Sequence, residues 1–160
     1  MTKEEILKLI ESEANGECFV YKGRKCEIIR NRFMTFWCGY AFKKHVYNYN
    51  DLMINVHGGV TWNSWGKIGF DCGHYLDYVI YPEIELKGGL SFPKELLIGG
   101  EIYRNKEYVI EQVKQMADQM TIQEKIQDKI NGEIALEKAK AFVYNNRKVN
   151  RKAIKRYLLN

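Results

Sequence analysis

The hydrophobic period of this chain changes from two to about 3.6 near its middle, and that switch limits the fold more than any other feature of the sequence. Cys18-Phe19-Val20-Tyr21 and Cys26-Glu27-Ile28-Ile29-Arg30 alternate like strands and flank Lys22-Gly23-Arg24-Lys25, a good hairpin turn. Met34 to Phe42 predicts a third strand, rich in aromatics. Leu52 to His57 predicts a fourth, Val60-Thr61-Trp62 a short fifth and Lys67 to Asp71 a sixth. Glu107 to Met120 instead places Val109, Ile110, Val113, Met116 and Met120 on one helical face, a stripe that reads as core. Thr121 opens another amphipathic segment, Ile122 to about Tyr144, bent near Asn131-Gly132 and broken at Asn145-Asn146, with a last short helix from Arg151 to Leu159. Ahead of the strands, Thr2 caps a helix whose Ile6, Leu9 and Ile10 form an apolar stripe, ended by Asn15-Gly16. The expectation is an α+β fold: an antiparallel or mixed sheet of about five to six short strands in the first half, packed by an N-terminal helix and C-terminal helices.

The chain has 160 residues, 46% of them apolar, enough for a core without disulfides. Because no composition break divides it, one domain is expected over 1–160, carrying a basic helical segment at about 138–160. The start of the chain is polar and acidic, and no apolar run is long enough to span a bilayer. No membrane association is expected, and a reducing cytoplasm is, so Cys18, Cys26, Cys38 and Cys72 read as free thiols mostly buried in strands. The net charge of +5 is uneven. Lys138, Lys140, Arg147, Lys148, Arg151, Lys152, Lys155 and Arg156 lie in a stretch without acidic residues. Such a tail suits an acidic partner, either a protein's negative patch or nucleic acid, with Arg147, Lys148, Arg151, Lys152, Lys155 and Arg156 as its contacts. The plain alternative is a solvated helical face.

The chemistry concentrates between Val56 and Asp77. Two of the three histidines fall there with two aspartates and a cysteine, the donor set of zinc and related divalent metals. Strands ending in His57 and Asp71 bring both side chains to one end of a sheet. Asp71, His74 and Asp77 recur at intervals of three, so a turn through Gly73 faces them to one point. The candidate ligands are His57, Asp71, His74 and Asp77, with Cys72 replacing Asp77 if the strand ends early; zinc is favoured by the two histidines. The competing reading is a hydrogen-bonded turn in which both histidines are satisfied without metal. His45, beside Lys43-Lys44 and a tyrosine-rich link, reads as a loop residue. Asp51, Glu83 and Glu101 are the available general bases, none at a telling spacing, so a structural metal is preferred to a catalytic one. Pro82 and Pro93 bracket a Gly-containing loop expected to be mobile.

Trp37-Cys38-Gly39-Tyr40, Asn55-Val56-His57-Gly58-Gly59-Val60-Thr61, Ile68-Gly69-Phe70-Asp71-Cys72-Gly73-His74, Asp77 and the helix from Tyr103 to Met120 together resemble a family of small proteins scattered through bacteriophages and mobile elements. The resemblance covers roughly residues 37 to 120. Asn55 stands where that pattern usually has aspartate, and Gly73 where it usually has alanine; His57, Asp71, His74 and Asp77 match it. Small phage proteins of this kind are often inhibitors of host defence, and the resemblance implies a metal-stabilised anti-CRISPR protein that docks stoichiometrically on the type II RNA-guided nuclease of a bacterial host. A metal-dependent hydrolase or nuclease and a nucleic-acid-binding accessory protein are the alternatives.

Overall fold

The computed structural model describes residues 3–31, 34–77, 79 and 102–158, with side chains described as far as residue 146. Helix α1 (Lys3–Ser12) leads into five strands, β1 (Gly16–Tyr21), β2 (Arg24–Arg30), β3 (Trp37–Phe42), β4 (Trp62–Asn63) and β5 (Lys67–Asp71), and helix α2 (Lys106–Leu158) follows. The sheet order is β1-β2-β3-β5-β4, and every pairing is antiparallel. This is the expected α+β class, with five strands among the described residues. The contacts divide the chain into two compact units, Met1–Thr121 and Ile122–Asn160.

In the first unit, strand alternation selects the buried face. Along β2 the side chains of Arg24, Cys26, Ile28 and Arg30 are buried, and along β3 those of Trp37 and Ala41. Ile68 and Phe70 continue that face on β5, and Val109, Val113, Met116, Ala117 and Met120 of α2 complete the core. The expected stripe is thus core, with Ile110 partly buried at its margin. Burying each large apolar side chain contributes about 1.5–3 kcal/mol. Tyr21 and Lys22 at the hairpin turn both donate to Asp118 on α2, tying turn to helix.

The close approach of sheet and helix depends on Gly39. A Cβ there would lie 2.5 Å from Val113 Cγ2 and 2.7 Å from Phe70 Cε1. Gly39→Ala is therefore expected to destabilise the protein by about 1–3 kcal/mol through overpacking. A urea-denaturation midpoint unchanged by this substitution would contradict that packing.

Three local expectations are corrected. Leu52 to His57 is not a strand: Asp51–Met53 forms a 3₁₀ turn capped by the Asn50 side chain, which accepts from Leu52 N–H. The next backbone groups find side chains of α2 instead of a neighbouring strand. Asn55 N–H donates to Gln119 Oε1, Gln119 Nε2 donates to the Asn55 carbonyl, and His57 N–H donates to Gln112 Oε1. The fifth strand is shifted, pairing Trp62 and Asn63 with Gly69 and Ile68 of β5. Finally, α2 continues through Asn131-Gly132 and Asn145-Asn146. One helical glycine costs only about 1 kcal/mol, and strong helix formers such as Glu133, Ala135, Leu136 and Glu137 follow at once.

The loop bracketed by Pro82 and Pro93 lies outside the described residues, as do Glu83 and Glu101. Among the described residues no helix is long and apolar enough to cross a membrane. In the second unit, Ile126, Ile130 and Ile134 are each 48% exposed and repeat every fourth residue.

Candidate metal centre

Three chain segments converge at one end of the first unit. His57 begins the turn after the stretch held by Gln112 and Gln119, and His74 and Asp77 come from the turn after β5. Asp77 is fixed there by its N–H donating to the His74 carbonyl and by a bridge to Ile102. Arg104 lies just ahead of α2 and Tyr108 in its first turn, where Asn105 caps the helix by accepting from Tyr108 N–H.

Asp77 is the hub. Its side chain is only 1% exposed, and both carboxylate oxygens are used. Arg104 Nε donates to Oδ1 at 3.0 Å; His57 Nε2 lies 2.7 Å from Oδ2, and the His74 N–H donates to the same oxygen at 3.1 Å. A carboxylate only accepts, so His57 Nε2 carries the proton in this arrangement. Nδ1 of a neutral ring then accepts from the Tyr108 hydroxyl at 3.0 Å. Burial raises the pKa of that phenol above its ordinary value, keeping its proton available. The guanidinium of Arg104 also stacks on the Tyr108 ring, 4.9 Å from its centroid.

His74 is different. Its Nδ1 is buried without a hydrogen-bond partner, 3.7 Å from Asp71 Oδ1 and 3.8 Å from Asp77 Oδ2. Its ring stands edge-on to that of His57, with centroids 5.6 Å apart. Gly58 makes room for it: at φ +63° this residue occupies the left-handed region, and a Cβ there would collide with the His74 imidazole. The glycine of His57-Gly58 thus lets the second histidine reach the first.

One ligand atom each from His57, His74 and Asp77 lies within 4.8 Å of the others. Asp71 stands at the margin, its Oδ1 accepting from Gly73 N–H at 3.0 Å as a turn cap. Cys72 belongs to the hydrophobic core, and burial pushes its thiol far above the ordinary range. The four cysteines are free: Cys18 is exposed, Cys38 half-buried, and Cys26 and Cys72 buried. Burial also pushes the Cys26 and Cys38 thiols up to about 11. His45 is an exposed turn residue. No protein-family model, curated protein or solved structure matches the chain.

The residues fit a divalent ion. An orphaned imidazole nitrogen faces a carboxylate oxygen, and Tyr108 can accept the Nδ1 proton of the His57 tautomer whose Nε2 is free to ligate. Arg104 and Tyr108 were not singled out from the sequence. Their signal is a spacing of four residues at the start of the helix, which acquires meaning only once α2 docks beside His57. Arg147, Lys148, Arg151, Lys152, Lys155 and Arg156 all fall within the helical span of α2, and their side chains lie outside the described set.

Proposed function

We propose that the protein is a metal-stabilised binding protein, acting in the bacterial cytoplasm by docking on a host protein rather than by turnover. The observation that carries this reading is the convergence of His57 and His74, from two separate segments, on the buried carboxylate of Asp77. A divalent ion, zinc by preference, would take the place of the proton between His57 and Asp77 and engage the orphaned His74 nitrogen, with Asp71 completing the set. Asp77 already joins two loops to the start of α2, so an ion at this point adds to a staple. Asp51, the remaining described candidate base, accepts from Asn63 Nδ2 in the 3₁₀ turn.

The partner follows from charge and from the resemblance to phage proteins. A basic segment beside a row of half-exposed isoleucines suits an acidic, partly apolar protein surface, and a type II RNA-guided nuclease of the host is the partner that the resemblance implies. Titrating the chain into a reconstituted cleavage reaction of such a nuclease tests this. Inhibition should be complete at about equimolar chain, with Asp51→Asn leaving it intact. Uninhibited cleavage at large excess would overturn the partner. Metal-dependent hydrolysis of nucleic acids or phosphoesters by the chain itself would overturn the binding reading in favour of a hydrolase.

A further inference from the structure

A second feature of the first unit shares no residue with the cluster of His57, His74 and Asp77. The segment after β3 and the turn between β4 and β5 enclose an open cleft of about 520 Å³, whose lining includes Lys43, Lys44, His45, Tyr47, Tyr49 and Trp65. None of the residues lining it is acidic. Trp65 is 94% exposed at the turn, an unusual position for the largest apolar side chain. Tyr47 and Tyr49 stand edge to face with centroids 6.5 Å apart, and Tyr49 is anchored because its hydroxyl accepts from Lys44 N–H and its ring packs on the core. The Lys43 ammonium donates to Asn63 Oδ1, an amide that positions the charge without cancelling it.

Aromatic faces interleaved with cations are what a flexible polyanion with π-faces requires. Bases stack on the rings irrespective of sequence, and phosphates meet the ammonium groups. Duplex DNA offers phosphates but hides its base faces, so an exposed indole would add nothing to its binding. We infer that this cleft binds single-stranded nucleic acid, with a base stacked on Trp65 or Tyr47 and the backbone phosphates on Lys43, Lys44 and His45. Its lining shares no residue with the metal centre or with the basic C-terminal segment.

Fluorescence anisotropy of a fluorescein-labelled oligo(dT) twelve-mer with the full chain tests it. Trp65→Ala should weaken binding by about tenfold or more. Lys43→Gln/Lys44→Gln should also flatten the dependence of affinity on salt, by roughly one to two in the log–log slope. The melting temperature of Trp65→Ala should stay at the parent value, because so exposed a side chain supports little packing. Three results would overturn the assignment: no binding at low salt, binding that Trp65→Ala leaves unchanged, or binding lost only when Arg151, Lys152, Lys155 and Arg156 are replaced by glutamine.

Discussion

Replacing Asp77 by alanine is expected to destabilise the protein by about 3–5 kcal/mol, because it removes the common partner of a guanidinium, an imidazole and a backbone amide at a nearly solvent-free point. The loss is mostly a cost of what remains. Arg104 keeps its charge with its carboxylate gone, His57 keeps an unpaired ring N–H, and the His74 amide loses its acceptor. Asp77→Asn should cost less, about 1.5–3 kcal/mol, because an amide oxygen at the Oδ2 position can still accept from His57 and from the His74 amide, and only the Arg104 contact is lost. Urea denaturation separates the two variants. A loss below about 1 kcal/mol for Asp77→Ala would mean that the hub is not a staple.

The second large effect is expected at the C-terminal end of β2. Arg30 is 3% exposed in its side chain, pairs with Glu13 just after α1, and lies 4.5 Å from the centroid of the Trp37 ring. Glu13→Ala should cost about 3–5 kcal/mol, since it leaves a buried guanidinium without its counter-charge. The double substitution Glu13→Leu/Arg30→Met should recover most of that loss, because an apolar pair avoids the desolvation of both ions. If the double variant is no more stable than Glu13→Ala, the destabilisation comes from packing around Trp37 and not from the stranded charge. Fluorescence of the buried Trp37 indole is a second readout, expected to shift to longer wavelength if water enters that corner.

The contrast between what the residues announce and what they conceal is clearest along the stretch from Leu52 to His57. Its apolar alternation reads as a strand, but Asn50 caps a 3₁₀ turn and the amides of Gln112 and Gln119 satisfy the backbone. Those glutamines come from more than fifty residues away, so no local window contains the information. The β1–β2 hairpin and β5 were legible because their alternation and turn residues are local. The unbroken course of α2 was not, because Asn131-Gly132 looks like a stop while the helix formers around it outweigh the cost. At the candidate site, the His57-Gly58 and His74-x-x-Asp77 spacings pointed to the three residues that come together. The same spacing gave Asp71 equal standing, although its Oδ1 caps the Gly73 turn at the site's margin. The role of Asp77 as hub appears only when Arg104, just ahead of α2, and Tyr108, in its first turn, arrive beside it, a tertiary fact that spacing cannot encode.

A divalent ion held by His57, His74 and Asp77 is what the proposed function rests on. The direct test is the metal content of tag-free protein by mass spectrometry, beside a His57→Ala/His74→Ala variant of confirmed fold. About one zinc ion per chain is expected in the parent protein and none in the variant. Background metal in both proteins would contradict it and leave the cluster as a hydrogen-bonded staple around Asp77.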